Sequence, residues 1–127
     1  MNGERYLLDT NAIIALLQGN LRLVQRLQTA VWVGISIISQ LEFLAFTELS
    51  ESEYQAFNQF LQRVEVIGLS SEQPRLIEQI IAVRQRYRLK LPDAVIVATA
   101  MQSEATLITA DQQLQNLSGL FTIDFSE

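Results

Sequence analysis

Short apolar runs alternate with longer amphipathic segments along the whole chain, and this alternation limits most strongly how it can fold. The runs have the length of buried strands, and the segments between them carry apolar residues at helical spacing. Strands that are joined by helices pair in parallel, and the helices then cover both faces of the sheet. The sequence therefore predicts a three-layer α/β/α fold with a four- to five-stranded parallel sheet. The predicted strands are Arg5–Leu8, Val31–Ile35, Val64–Ile67 and Thr106–Thr109, with a short last strand at Phe121–Phe125.

Capping residues indicate where most of the helices begin. Ser50 is followed by the acidic Glu51 and Glu53, which the helix dipole favours in a first turn. Pro92 is suited to a helix start because the missing backbone N–H costs nothing there. A first helix is expected around Ile13–Leu17, broken at Gly19-Asn20. The other predicted starts are Asn20, Ser36 or Ser39, and Ser70 or Ser71, and a short helical turn is expected at Asp111–Leu114.

The length of the chain and the absence of a linker-like segment predict a single domain over residues 1–127. No Pro/Gly/Ser-rich stretch and no charge block divides the 127 residues. Residues 1–9 include three charged side chains and so lack the uninterrupted apolar stretch of a signal peptide. The longest apolar run, around Ala94–Met101, is far shorter than the roughly 20 residues that cross a bilayer. We therefore expect a cytoplasmic protein.

The chain contains no histidine and no cysteine, and this absence excludes several kinds of site. Zinc sites built on thiolate or imidazole, cysteine nucleophiles and Ser-His-Asp triads are all ruled out. Acid–base catalysis by paired histidines is ruled out as well. A hydrolytic site in this chain must use carboxylates, hydroxyls, Lys or Arg. Carboxylates favour hard cations such as magnesium or manganese.

Four acidic residues, far apart in sequence, are expected at one edge of the sheet. Asp9 ends the first strand, and Asp111 comes just after the fourth. Ligands of such sheets bind outside the carboxyl ends of the strands, where the strand order reverses. Asp93 opens the helix that leads into the fourth strand, and Glu42 lies early in the helix after the second strand. Both of those helix starts belong to the same edge.

Each acid also has a simpler explanation when it is considered alone. Asp9 and Asp111 would cap helices or turns, Asp93 would favourably occupy a first helical turn, and Glu42 would face solvent. Only their joint placement favours a site. Four carboxylates in one crevice repel each other, so such a cluster is costly unless cations bind there. Two divalent ions about 3.5–4 Å apart would neutralise it and activate a water for attack on a phosphate.

Four segments of the chain resemble a known family. They are LLDTN (residues 7–11), SQLEFLA (residues 39–45), LPDAVIVATA (residues 91–100) and LITADQQL (residues 107–114). In this order and at these separations they resemble the PIN-domain nucleases, and most closely the VapC-type toxins of bacterial toxin–antitoxin pairs. The resemblance covers essentially the whole chain. Four segments in order are more specific than any one of them.

The resemblance implies an activity and assigns residues to it. It makes Asp9, Glu42, Asp93 and Asp111 the catalytic and metal-binding acids, and gives Asn11 and Thr109 a polar supporting role. It further implies one or two Mg²⁺ or Mn²⁺ ions, hydrolysis of RNA phosphodiester bonds, a cognate antitoxin protein as inhibitor, and a homodimer.

The net charge of −5 argues at first against an RNA partner. Without the four site acids, however, the net charge would be only −1. Four of the nine basic residues are also concentrated just before Pro92, where they would contact phosphates without reading the sequence. It is equally consistent that they terminate a helix favourably and face water. These candidate substrate-binding residues are Arg84, Arg86, Arg88 and Lys90.

Apolar helices offer surfaces for protein partners, although such residues more often belong to a core. Aromatic residues at Phe43, Phe46, Tyr54, Phe57 and Phe60, with Leu61, exceed what one sheet face needs. A groove that accepts an amphipathic antitoxin helix would use them. The helix at Ala94–Met101 is apolar almost all round, as burial in a core or in a dimer interface requires.

Three other functions compete with that of a nuclease. A PIN-like module that binds RNA or protein without cleaving is the main alternative, and the presence of all four acids disfavours it. A phosphoacceptor receiver domain would need an acceptor Asp after the third strand, where Ile67–Ser70 provides none. A phosphatase of the Asp-x-Asp type is disfavoured because Asn11 occupies the second acidic position.

Overall fold

A five-stranded parallel sheet forms the centre of the protein. The computed structural model describes residues 4–46 and 48–126; residues 1–3, considered above for a signal peptide, lie outside that part. The strand order is β3-β2-β1-β4-β5, and every neighbouring pair is parallel. The α/β class with a parallel sheet is thereby confirmed. The strands are β1 (Arg5–Leu8), β2 (Trp32–Ser36), β3 (Glu65–Ile67), β4 (Thr106–Ile108) and β5 (Thr122–Ile123).

Helices cover both faces of this sheet. Alternate residues of β1 enter two separate cores, because successive side chains of a strand point to opposite faces. Leu7 packs with the helices after β3, whereas Tyr6 and Leu8 pack with the helices before it. The helices are α1 (Thr10–Leu17), α2 (Leu21–Gln28), α3 (Ile37–Leu44), α4 (Glu51–Leu61), α5 (Pro74–Tyr87), α6 (Leu91–Gln102) and α7 (Gln112–Gln115).

Two helix starts differ from the sequence prediction or decide between its alternatives. Helix α5 begins at Pro74 with Gln73 as its N-cap, so the prediction of Ser70 or Ser71 was wrong. Ser70 instead forms a turn before the helix, accepting from the Glu72 amide at 3.0 Å. The proline sets the start because its fixed φ suits a first turn. For α3, the cap is Ser36, whose side chain accepts from the Ile38 amide.

Helix α6 is buried along most of its length. Every residue from Ala94 to Ala100 is buried within the chain itself. Of the two predicted reasons for its all-round apolar character, core burial is the one observed.

Among the helices of residues 4–46 and 48–126, none has both the length and the apolar character that crossing a bilayer requires.

An indole ring lies flat over the middle of β2. A Cβ atom built on Gly34 would lie 2.2 Å from Cη2 of Trp32, so the ring occupies the space that any side chain would need. The indole Nε1 donates to Glu65 Oε1 at 2.8 Å, and the Arg5 guanidinium lies 4.5 Å from the ring centroid. Three neighbouring strands are thus joined at the amino end of the sheet by one side chain.

Candidate active site

The sheet reverses its strand order between β1 and β4, and a cavity opens at the carboxyl ends of these two strands. Asp9 directly follows β1, and its backbone amide donates to the Ile108 carbonyl at the end of β4, 3.2 Å away. The cavity has a volume of about 460 Å³. Its lining residues are Asp9, Thr10, Asn11, Glu42, Ala45, Phe46, Asp93, Ile96, Asp111 and Leu114. All four acids that the sequence singled out therefore line one cavity.

Asp9 is the most buried of these acids, with 7% of its surface exposed. It is the N-cap of α1, and its Oδ1 accepts from the Ala12 amide at 2.8 Å. Burial raises the pKa of its carboxyl, and the charges of Asp111 and Asp93 raise it further. The Thr109 side chain and the Ala12 amide act in the opposite direction. The capping role and the site role thus belong to the same side chain.

Asp93 lies half-buried in the first turn of α6. Burial raises the pKa of its carboxyl, and repulsion from Asp111 and Glu42 adds to the effect. The charge of Lys90 lowers the same pKa. Asp93 is therefore electrostatically coupled to acids from two other elements, as expected for carboxylates that share one cavity.

Asp111 and Thr109 form a short hydrogen-bonded turn after β4. The Thr109 Oγ1 accepts from the Asp111 amide at 3.0 Å, and Asp111 Oδ1 in turn accepts from the Gln113 amide at 2.9 Å. Thr109 is completely buried, so the hydroxyl that holds this turn is itself held within the protein interior. Asn11, the other predicted supporting residue, is exposed and lines the cavity.

Glu42 is the exposed member of the group and comes from α3. Its Oε1 accepts a hydrogen bond from the Thr10 hydroxyl at 2.5 Å. Sequence reasoning did not single out Thr10, although the residue lies between Asp9 and Asn11. The contact depends on how α1 packs against α3, and that packing leaves no short-range signal in the sequence.

The donor set of the cavity consists of carboxylate, hydroxyl and amide oxygens, which fits a hard divalent cation. Burial is the main cause of the raised pKa values of Asp9 and Asp93, and repulsion from the neighbouring acids adds to it, so the charged form of both carboxyls is disfavoured. Within the described residues, however, no three acidic side chains are arranged to hold a single ion. Repulsion between the acids favours such separation, and hydrogen bonds to the protein hold Asp9, Glu42 and Asp111 in place.

Comparison with known proteins identifies the family. The PIN domain profile matches residues 6–120, which is most of the chain. The chain belongs to the PIN-domain family. This confirms the family resemblance that the four sequence segments indicated.

Solved structures match the fold of this chain over nearly its full length. A chain of a toxin–antitoxin complex from Klebsiella pneumoniae is 30% identical, with a TM-score of 0.76, covering 94% of this chain and 97% of that one. VapBC2 from Rickettsia felis, bound to a DNA fragment from its promoter, is 19% identical with a TM-score of 0.77, covering 93% and 96%. VapBC-1 from nontypeable Haemophilus influenzae is 22% identical with a TM-score of 0.73, covering 96% and 98%. A comparison with curated protein sequences found no match.

The four basic residues of this PIN domain that the sequence suggested for RNA binding do not line the acidic cavity. Lys90 is the N-cap of α6 and acts on Asp93. None of the three arginines lines the cavity. Arg86 donates to Ser118 at 3.4 Å and lies against the Tyr87 ring, while Arg88 ends α5 with a left-handed φ of 56°. Of the four basic residues, Lys90 is the one that acts on an acid of the cavity, namely Asp93.

Proposed function

We propose that this PIN-domain protein is a metal-dependent endoribonuclease of the VapC type, the toxin of a toxin–antitoxin pair. The observation that carries the proposal is the cavity at the β1/β4 switch point. There, acids from four different elements lie in one crevice that contains no histidine or cysteine. Carboxylates are the only ionisable side chains among the residues that line the crevice, and phosphodiester hydrolysis is a reaction that carboxylates perform with divalent ions.

Asp9, Glu42, Asp93 and Asp111 would hold one or two Mg²⁺ or Mn²⁺ ions. When bound, the ions supply a Lewis acid for a phosphate oxygen and lower the pKa of a water molecule. The chain's own contribution is to place the acids. The Ala12 amide fixes Asp9, the Gln113 amide fixes Asp111, and the bond from the Asp9 amide to the Ile108 carbonyl joins the two strand ends.

RNA would enter over the exposed side of the cavity. Asn11 and Glu42 are exposed there. The charge of Lys90 lowers the pKa of Asp93, so this cation acts on an acid of the cavity. We assign Lys90 to a substrate phosphate, since such contacts position the chain without selecting a sequence. Arg84, Arg86 and Arg88 remain proposed contacts for RNA that extends beyond the cavity.

A second cavity supports the antitoxin as a partner. It has a volume of about 610 Å³, lies between α1 and the α3–α4 region, and shares Phe46 with the acidic cavity. Ile14, Leu17 and Phe43 are apolar lining residues, and the exposed acids Glu48 and Glu53 line the cavity as well. An amphipathic helix with basic flanks fits such a groove.

The proposed homodimer would cover part of the exposed apolar surface of α3, where Leu41 and Leu44 lie one turn apart. The proposal places the enzyme in the cytoplasm.

The test is cleavage of single-stranded RNA with Mg²⁺ or Mn²⁺ by the purified chain and by Glu42→Gln. Because loss of a residue that merely supports a metal ligand costs about 10–100-fold, loss of a ligand should lower the rate by more than about 100-fold. Glu78→Gln, an exposed acid on α5 outside the cavity, is the matched control and should retain the activity of the unaltered protein.

Two results would contradict the proposal. Undiminished cleavage by Glu42→Gln would show that Glu42 is not part of the active site. RNA binding without any cleavage, in the presence of either ion, would favour the non-cleaving PIN-like module instead. That alternative is supported by one observation, namely that no three acids of the described residues are arranged around a single point.

A further inference from the structure

Thr10 makes the shortest side-chain contact in the acidic cavity. Its Oγ1 lies 2.5 Å from Glu42 Oε1, within the range of hydrogen bonds from a hydroxyl to an ionised carboxylate. Such charge-assisted bonds are roughly twice as strong as bonds between neutral groups. The two residues are 32 positions apart, so the bond connects two elements and is not a local helix contact.

The two partners differ in how firmly the fold holds them. Thr10 is the first residue of α1, and it directly follows Asp9, which is tied to β4 through its backbone and to α1 through its side chain. Glu42 is exposed, and a free glutamate side chain samples several rotamers, so holding it in one of them costs conformational entropy. Among the side-chain hydrogen bonds of the described residues, the one from Thr10 is the only one that the Glu42 carboxylate accepts.

We infer that Thr10 is a positioning residue that holds the Glu42 carboxylate in the site at a fixed relation to Asp9. The inference rests on the proposed function, because it assigns Thr10 a role in that same site. Thr10 does not need to touch RNA or an ion. It restricts the glutamate to the rotamer that faces the cavity, and pre-organisation of a ligand in this way strengthens binding at no further cost when the ion arrives.

Removal of the hydroxyl should weaken metal binding more than it weakens RNA binding. Thr10→Val keeps the β-branched shape, and Thr10→Ala serves as a second variant that suits a helix without strain. Each should raise the Mn²⁺ dissociation constant measured by calorimetry about 10–100-fold, and lower kcat at fixed Mn²⁺ with little change in KM for RNA. Thr10→Ser retains the hydroxyl and should restore both values.

Thr29→Val is the matched control. Thr29 is an exposed threonine whose hydroxyl also donates a hydrogen bond, but to the Arg26 carbonyl at the end of α2, away from the cavity. Its change should leave Mn²⁺ affinity and kcat as they are. In a Glu42→Gln background, Thr10→Val should have no additional effect on Mn²⁺ affinity, because the carboxylate that it positions is gone.

The outcomes separate this inference from the proposed function. An unaltered protein that cleaves RNA and binds Mn²⁺, together with Thr10→Val and Thr10→Ala variants that behave like Thr29→Val, would overturn the positioning role alone. Equal weakening in Thr10→Ser would overturn it as well. An unaltered protein that neither binds Mn²⁺ nor cleaves would overturn the proposed function, and the role of Thr10 with it.

Discussion

Asp9 carries two opposing contributions to stability. Its carboxylate accepts from the Ala12 amide and so satisfies one of the free donors at the start of α1. The same carboxylate is buried beside two other acids, which raises its pKa and penalises its charge. A residue chosen for stability alone would keep the oxygen and lose the charge.

Asp9→Asn makes that exchange, because asparagine caps a helix as well as aspartate does. In a metal chelator at neutral pH, we expect Asp9→Asn to unfold at a higher temperature than the unaltered protein. Asp9→Ala also removes the charge but loses the cap, so it should be about 1 kcal/mol less stable than Asp9→Asn. For a domain of this size the two variants should differ by about 4 °C in thermal denaturation.

The pH dependence of the stability gained by Asp9→Asn tests whether the gain is electrostatic. The folded pKa of Asp9 is raised above the ordinary 3.8, so the folded state binds more protons between those two values. Stability therefore falls as pH rises through that window, and the penalty persists at higher pH. The advantage of Asp9→Asn should be absent well below pH 3.8 and complete at neutral pH. An advantage that does not change with pH would contradict the electrostatic explanation.

At the scale of elements, the fit of Trp32 over Gly34 makes β2 intolerant of a side chain at its centre. Gly34 lies opposite Leu7 of β1 and Glu65 of β3 in the register of the sheet. A methyl group at this position would overlap the indole ring and displace it. Displacement would also break the bond to Glu65 and the stacking of Arg5.

Gly34→Ala should therefore destabilise the protein by about 1–3 kcal/mol, the usual cost of overpacking. The measurement is urea denaturation followed by circular dichroism. In a Trp32→Leu background, where the ring is absent, the same change should cost markedly less. Equal costs in both backgrounds would mean that the backbone conformation, and not the ring, requires glycine.

The elements also indicate which parts of the site were predictable. The meeting of Asp9 and Asp111 followed from parallel strands and a reversal of strand order, both of which depend on patterns along the chain. The bond between Thr10 and Glu42 depends on the relative placement of α1 and α3, which no local pattern encodes. The absence of the arginines from the cavity lining was not predictable either, since α5 ends at Arg88, a left-handed residue that the sequence does not mark with glycine.

At the scale of the whole molecule, the charge of −5 and the four acids that line one cavity lead us to expect, under the proposed function, that divalent ions stabilise the protein. An ion that binds only the folded state stabilises it in proportion to the logarithm of its concentration. At an ion concentration about 100 times the dissociation constant, the gain is about 2.7 kcal/mol.

Mn²⁺ added to chelator-treated protein should therefore raise the unfolding temperature by about 10 °C near that concentration. Asp93→Asn should respond much less, because it removes one acid and weakens the attraction for the ion. Glu78→Gln should respond as the unaltered protein does. Potassium chloride at equal ionic strength distinguishes binding from general screening of charge, and an equal rise with that salt would contradict a specific site.

The indole over Gly34 has an optical consequence. Trp32 is the single tryptophan of the chain, so all tryptophan fluorescence, excited selectively over that of the tyrosines, originates from one half-buried position. That position is at the amino end of β2, whereas the acids lie beyond the carboxyl ends of the strands. Its emission should shift when the sheet comes apart and stay constant when ions or RNA occupy the far edge. The protein thus contains its own reporter of unfolding, independent of what its cavity holds.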